Sequence, residues 1–288
     1  MKNAAKLMST LAHNDGFNQT TLPDIGIYKA TEAKGREPLC YNQGIIIVGQ
    51  GSKRVFMGDK VYEYNPDNYL VLSVPIPAEC ETFATKEEPL LALTLNINIG
   101  LLNRIISQMD EHIDHTLLEN KKKHQGIFAA TLTPPIKDTV LRLLRVLQSP
   151  METSVLGEGL VYELLFRVMQ GANAASLYAL AIQNTNLAKI DKALKRIHSS
   201  YADTMNVDAL ASLVNMSPSA FHRAFHDVTA SSPIQYLKKI RLNKAKDLLT
   251  EQKVRVGEAA TGVGYESTAQ FSREFKRYFG NSPSAYSK

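Results

Sequence analysis

The stretch AATGVGYESTAQFSREFKRYFGNSPSAY, residues 259–286, decides how this chain is read, because it has a counterpart 50 positions upstream. Set against ALASLVNMSPSAFHRAFHDVTASSPIQY, residues 209–236, it pairs Ala259 with Ala209, Ser267 with Ser217, Phe271 with Phe221, Arg273 with Arg223 and Phe275 with Phe225. Ser282, Pro283 and Tyr286 then pair with Ser232, Pro233 and Tyr236. Eight identities in one ungapped register mark a duplicated module. Two copies are too few for a solenoid, which needs three or more stacked units.

Each copy spells helix, turn, helix. In the first, Asn206 is placed to cap a helix with the apolar face Val207, Leu210, Ala211 and Val214, and Asn215-Met216 makes the turn. Ser217 caps a second helix with Pro218 at its first position, where the missing N–H costs nothing. Phe221, Phe225 and Val228 point inward there, leaving Ser219, His222, Arg223 and His226 outside. In the second copy Val256, Ala259, Ala260 and Val263 form the first helix, and Gly262 to Tyr265 bends the chain. Ser267 with Gln270 reads as a capping box opening the second helix. Phe271, Phe275 and Phe279 are expected to be buried, Thr268, Ala269, Ser272 and Arg273 to point out, and Gly280 to end the helix. Between the copies Ser232-Pro233 opens a long helix to about Thr250, with Lys238, Lys239, Arg241, Lys244 and Lys246 on its polar face.

Charge follows the same division. Residues 186–288 hold 16 Lys+Arg against 9 Asp+Glu, while residues 1–185 hold 17 against 19, so the net charge of +5 averages two unlike parts. A basic segment of this size points to a polyanion, most simply nucleic acid; a merely solvated basic face is the alternative on charge alone. A helix fits the major groove of B-DNA, and arginine can grip guanine O6 and N7 in a fork. Helix N-termini capped by Ser217 and Ser267 offer free N–H groups to phosphates. The competing reading of each arginine is a local salt bridge, for instance Arg273 with Glu266 or Glu274.

On these residues, positions 187–288 resemble the double helix-turn-helix DNA-binding domain of AraC/XylS-type transcription regulators. The match is tightest over Ala259 to Ser267, Phe271 to Lys276 and Phe279 to Pro283. The resemblance implies two recognition helices in successive major grooves, about one helical turn apart. Its base-contact candidates are Ser219, His222 and Arg223, then Thr268, Ala269, Ser272 and Arg273. Its phosphate-contact candidates are Ser217, Lys238, Lys239, Arg241, Lys244, Ser267, Lys276 and Arg277. Ser219 and His222 stand where members often carry larger or amide side chains, which leaves the operator sequence open.

From about Ile25 to Ile99 the chain reads as short strands. Ile45 to Val48 is a buried-type run, and Lys53 to Met57 and Val61 to Tyr64 flank a Gly58-Asp59 hairpin turn. Tyr69 to Val74 follows, and Leu91, Leu93, Leu95, Ile97 and Ile99 alternate with smaller or polar residues. Such spacing predicts a small barrel or jelly roll able to hold a ligand. Gln50 to Val55 and Gly58 to Tyr64 are similar to the cupin-like sensory domains of AraC-type regulators, in particular the aldehyde-responsive YqhC-type branch. Apolar stripes at Leu101 to Ile113, Ile136 to Leu147 and Leu160 to Val168 read as helices serving as core or as a dimer face.

The expected fold class is therefore α+β: a cupin-like β-barrel with helical extension over 1–175, a linker at 176–186, and an all-α double helix-turn-helix domain over 187–288. No catalytic residue, metal or cofactor is expected. Catalytic cupins hold their metal on histidines, and residues 14–111 contain none. His112 and His115 beside Asp110, Glu111 and Asp114 read as the polar face of a helix or as metal ligands. Two cysteines are too few for a disulfide framework. Cys80 lies between Glu79 and Glu81, which disfavours its thiolate, so Cys40 is the candidate sensor thiol, against the plainer reading of a free buried cysteine.

The function expected is sequence-specific control of transcription, modulated by a small molecule or reactive species such as an aldehyde or oxidant. The alternatives are an architectural DNA binder without effector response and a non-haem metal cupin enzyme. The partners implied are double-stranded operator DNA, RNA polymerase, an unassigned small-molecule effector and a second copy of the chain. The expected location is the cytoplasm: no apolar run approaches a transmembrane span and no secretory signal opens the chain.

Overall fold

The run Ile45 to Val48 lies at the centre of a sheet whose two faces are both covered, which is why it reads as continuous apolar residues instead of alternating ones. The computed structural model describes residues 1–109, 125–171, 174–182 and 184–287. A first helix, α1 (Lys2–Leu11), is followed by β1 (Gly16–Gln19), β2 (Ile25–Ala30), β3 (Lys34–Tyr41), β4 (Gly44–Gln50) and β5 (Ser52–Met57). Next come β6 (Lys60–Tyr64), β7 (Asn68–Leu72), β8 (Ile76–Phe83), β9 (Leu90–Asn96), helix α2 (Ile99–Met109) and β10 (Ile127–Thr131).

The strands make two antiparallel sheets, ordered β1-β2-β9-β4-β7-β10 and β3-β8-β5-β6. Ile45 and Ile47 face one side of the larger sheet and pair with Leu95 and Leu93 of β9. That side is covered by α1, whose contacting residues Ala4, Ala5 and Met8 are all buried. Ile46 and Thr94 face the other way, toward the smaller sheet. The expected barrel is thus realised as two facing sheets, and no single closed hydrogen-bonded cylinder forms among the described strands. The physical reason sits at the corners. Gly51, at φ +76°, lets the chain leave β4 in one sheet and start β5 in the other, where a Cβ would meet Leu90 Cα at 2.9 Å.

Three of the expected helices appear as core. Helix α3 (Pro134–Val146) buries Ile136, Val140, Leu143 and Leu144, and α4 (Pro150–Met169) buries Leu160, Leu164, Leu165 and Val168. Helix α4 begins at Pro150, well ahead of the apolar stripe that starts at Leu160, because Ser149 caps it by accepting from the Glu152 amide at 3.4 Å. In α2, Leu102 and Ile105 are buried. Ile113, His112, His115 and the lysines at 121–123 lie outside the described residues.

The expected linker is a correction. Residues 176–186 include most of α5 (Ala175–Ala181), whose Leu177 and Leu180 are buried and which packs on α2 and on α6 (Asn186–Ser199). Its apolar side chains have a covered place to go, so the segment is a packed helix and not an open tether.

The remainder is helical: α7 (Val207–Leu213), α8 (Pro218–Thr229), α9 (Pro233–Thr250), α10 (Val256–Gly262), α11 (Thr268–Phe279) and a 3₁₀ turn at Pro283–Ala285. One apolar core runs without a break from the sheets through α3, α4 and α6 into α7, α8 and the first half of α9, ending at Ile240. A second, separate core starts at Leu242 and holds α10, α11 and the rest of α9. The two repeats are alike in sequence but not in attachment. The first shares its interior with the sheets; the second hangs on the far half of α9.

Candidate nucleic-acid interface and sensor cavity

The repeat is real, with one shift that the ungapped comparison hid. Helices α7 and α10 superpose in burial at an offset of 49: Leu210 and Ala211 correspond to the buried Ala259 and Ala260, and Val214 to Val263. Ala209, matched to Ala259 by identity, is exposed. The turns agree at the same offset, with Met216 N–H donating to Ala211 O and Tyr265 N–H to Ala260 O, both at 3.0 Å. Glu266 is the extra residue, after which Ser217 and Ser267 fall back into step. Asn215 turns the chain at φ 53° and Gly264 at φ +84°. At Gly264 any Cβ would lie 2.2 Å from the carbonyl oxygen of Ala202, so this corner admits only glycine.

The second helices follow the serine caps. Ser217 Oγ accepts from the Ala220 amide at 3.4 Å and Ser267 Oγ from the Gln270 amide at 3.3 Å. Gln270 does not close the expected capping box; its amide nitrogen donates to Glu274 at 3.2 Å. Each helix is pinned by an aromatic ladder. Phe221 stacks on Phe225 with centroids 5.6 Å apart and Phe225 on Tyr236 at 5.5 Å. Phe271 meets Phe275 at 5.4 Å and Phe275 meets Tyr286 at 5.5 Å. Phe279 is half-buried, not buried, because it lies in the last turn against Tyr286.

With these faces turned inward, Ser219, His222 and Arg223 are exposed on α8, and Thr268, Ala269 and Arg273 on α11, with Ser272 half-buried. Arg223 and Arg273 form no ion pair among the described residues. Of the two local partners considered for Arg273, Glu274 is engaged elsewhere, accepting from Tyr265 Oη at 2.9 Å and from Lys238 at 3.3 Å, and Glu266 is exposed without an ion pair among the described residues. Lys276 and Arg277 are exposed at the end of α11.

The basic face of α9 is a second correction. Arg241 donates to three backbone carbonyls, Tyr201 at 2.7 Å, Asp203 at 2.9 Å and Gly264 at 3.0 Å. Its guanidinium ties the loop before α7 to the turn before α11. Lys238 is taken by Glu274. Lys246 sits 5.2 Å over the Phe279 ring and 5.7 Å over Tyr286. Lys244 lies 3.9 Å from Asp247 and close enough to Cys40 and His198 to act on both electrostatically. Lys239 is half-buried. Helix α9, wedged between two helix-turn-helix units and a sheet, thus spends Arg241, Lys238 and Lys246 on internal contacts, while Lys244 stays exposed.

Between the two sheets lies a cavity of about 420 Å³. Tyr28, Leu39, Tyr41, Ile46, Lys53 and Tyr64 are among its walls. Lys53 and Val55 are same-face residues of β5, and both are buried. The Tyr41 and Tyr64 hydroxyls are 3.1 Å apart, and burial raises both phenols, holding them neutral. A ligand-holding interior was expected from the strand spacing; the buried cluster of Lys53, Tyr41 and Tyr64 inside it was not.

Cys40 also lines the cavity wall, on β3, and faces α9. Burial pushes its thiol up to about 12, which disfavours the thiolate that a sensor role requires and favours the plainer reading of a free, largely covered cysteine. The same strand carries the neighbouring cavity residues Leu39 and Tyr41 and packs against both α9 and α11. One strand therefore touches both the cavity and the second helix-turn-helix unit.

Residues 21–176 match the AraC-type transcriptional regulator N-terminus, and residues 210–288 match a helix-turn-helix domain. The chain belongs to the AraC-type transcriptional regulators. The Msm operon regulatory protein of Streptococcus mutans is 33% identical over 101 residues, which is 35% of this chain and 36% of that protein. The raffinose operon regulatory protein RafR of Pediococcus pentosaceus is 31% identical over 150 residues, 51% of this chain and 52% of that one. The chain thus spans a third to a half of the length of these curated AraC-type relatives. Among solved structures, ToxT of Vibrio cholerae, with an unsaturated fatty acid bound, shares the fold at a TM-score of 0.60 and 12% identity, covering 95% of this chain and 97% of its own.

Proposed function

We propose that this AraC-type chain is a sequence-specific DNA-binding regulator of transcription. In this reading α8 and α11 enter two major grooves, and the inter-sheet cavity holds a small-molecule effector. The observation that carries the proposal is the paired placement of Arg223 and Arg273. They occupy one position on two helices with the same cap and aromatic ladder, are exposed, and have no acidic partner among the described residues. Ser219 with Ala269 and His222 with Ser272 fall at the same offset and complete two similar but differently lined surfaces. Identical linings would suit a repeated site; different ones suit an asymmetric operator. The phosphate-facing set is reduced to Ser217, Lys239, Ser267, Lys276 and Arg277, since Lys238 and Arg241 are occupied inside the fold and Lys244 faces Cys40 and Asp247.

The effector half of the reading rests on the cavity. The same fold in ToxT has been solved with a fatty acid bound, and the ligand-carrying role, not the ligand, is extended to this chain. Residues 1–175 then form the sensory part and 187–288 the DNA-binding part, joined through α5 and α6. RNA polymerase, a cytoplasmic site of action and a homodimeric operator-bound state belong to the same reading, and it assigns no catalytic step to the chain.

Mapping the chain's bound sites and titrating one such site tests the reading. Arg223→Ala and Arg273→Ala are each expected to cost about 1–3 kcal/mol on that site and to relax discrimination at different base pairs. Equal losses on random DNA would overturn base readout and leave the architectural alternative.

A further inference from the structure

Among the described residues lining the inter-sheet cavity one side chain is charged, Lys53, and none of the others is a carboxylate. Lys53 is 5% exposed. Its ammonium lies 5.0 Å from the centre of the Tyr28 ring and 5.8 Å from that of Tyr41, with the Cys80 thiol beside it. No carboxylate stands within ion-pair distance of it among the described residues. Glu37, the carboxylate that acts on it from further off, is paired with Lys34 at 3.8 Å. The phenols of Tyr41 and Tyr64 are held neutral, so they can donate hydrogen bonds but cannot neutralise Lys53.

Removing an ammonium from water costs several kcal/mol unless an anion meets it, and aromatic faces return only part of that. A cation kept in an apolar cavity under those terms is a binding group awaiting its partner. The walls decide the rest of the ligand. Leu39, Ile46 and the ring faces of Tyr28 and Tyr41 offer apolar surface for a hydrocarbon or aryl body. Gln19, Asn42, Thr94 and Asn96 add polar groups elsewhere on the wall, and Lys53 repels a cation.

We infer that the cavity binds a small organic anion, a carboxylate on an apolar body of roughly ten non-hydrogen atoms, with its headgroup at Lys53 and its body against Tyr28, Leu39 and Ile46. This rests on the proposed effector role of the cavity. The Tyr41 and Tyr64 hydroxyls spend one proton on each other, which leaves one phenolic O–H of the pair to donate to the same headgroup. The apolar body then lies against β3, the strand that packs on α9 and α11.

Calorimetric titration of the full chain with octanoate and 3-phenylpropanoate, each beside its alcohol, tests the inference. Both acids are expected to bind, with the matched alcohols weaker by about tenfold or more. Lys53→Met is expected to lose acid binding by a similar factor and to leave alcohol binding unchanged. Equal binding of acid and alcohol by the wild-type chain overturns the inference without reference to any variant, and so does undiminished acid binding by folded Lys53→Met. Octanal tests the other chemistry open to a lysine amine, condensation to an imine with loss of water. A borohydride-trapped adduct at Lys53 without acid binding also overturns it. Alcohols or octanal that bind and change operator affinity while acids do not leave the effector reading standing and remove only the anion. Absence of binding by every probe removes both.

Discussion

The Tyr236 hydroxyl, at the start of α9, donates a hydrogen bond of 2.8 Å to the carbonyl oxygen of Pro75, next to the first residue of β8. This contact crosses from the first helix-turn-helix unit into the sheets, and it is buried: Tyr236 has no exposed surface. The same hydroxyl oxygen lies 2.8 Å from His198 Nε2, so with its proton committed to Pro75 it accepts from the imidazole. Tyr236→Phe keeps the ring against Phe225 but strands the carbonyl and the imidazole. The expected loss is about 1–3 kcal/mol of stability in urea unfolding, because a buried polar group left unpaired costs more than the bond it made.

His198 adds a pH dependence with a definite sign. Burial, and secondarily the charge of Lys244, lower its pKa from 6.5 to about 4. The folded state therefore binds fewer protons than the unfolded state between these values, and acidification favours unfolding there. Stability is fully present above pH 6.5 and falls toward pH 4, at about 1.4 kcal/mol per pH unit at most from this group. His198→Gln keeps a donor for Tyr236 and removes the titration. The difference between wild-type and variant unfolding free energies should therefore slope between pH 6.5 and 4 and be flat above. A difference that stays constant over the range would show that the imidazole takes up its proton without cost.

How far the sequence revealed these features depends on where each signal resides. The duplicated module was legible because its signals are local: serine caps, phenylalanines at helical spacing and tight turns. Even there, identity misled at Ala209, since an ungapped register cannot show the one-residue insertion at Glu266. Helix α1 was missed because its buried side chains are Ala4, Ala5 and Met8, and alanine gives almost no hydrophobic contrast. Strands β3 and β8 carry Arg36, Glu37, Glu79 and Glu81 and hide their alternation among charges. Lys53 did leave a trace, sharing the Val55 face of its strand. Phe56 on the opposite face made the inward side ambiguous. The basic stripe of α9 was visible, but which cations are consumed internally is a matter of tertiary contact that no helical period encodes.

That internal consumption separates Arg241 from Arg273 experimentally. Arg241→Met deprives Tyr201, Asp203 and Gly264 of a charged donor and is expected to destabilise the second helix-turn-helix unit by about 2–4 kcal/mol. Arg273 is exposed and forms no ion pair among the described residues, so Arg273→Ala should stay within about 0.5 kcal/mol of wild type in the same unfolding measurement. If Arg273→Ala unfolds as readily as Arg241→Met, its surface position has been misjudged.

Salt dependence distinguishes the phosphate set in the same way. Each lysine or arginine that neutralises a phosphate contributes close to one unit to the slope of log affinity against log salt. Lys276→Ala and Arg277→Ala should each flatten that slope by about one. Lys238→Ala should leave it unchanged, since that ammonium is already paired with Glu274. Operator titrations at several salt concentrations measure the slopes directly, and a flattened slope for Lys238→Ala would return α9 to the DNA-facing surface.

Lys53 gives the last prediction, in the direction opposite to most core substitutions. A side chain that holds an uncompensated charge between two sheets lowers the stability of the effector-free protein, and methionine fills nearly the same volume without that cost. Lys53→Met should therefore raise the unfolding free energy of the empty chain by about 1–3 kcal/mol, measured in urea without added ligand. An anion bound at Lys53 stabilises only the wild type, by RT ln(1 + [L]/Kd), so saturating octanoate should narrow or reverse the gap. A lower stability for empty Lys53→Met would mean that the ammonium is already satisfied inside the cavity by its thiol and ring neighbours.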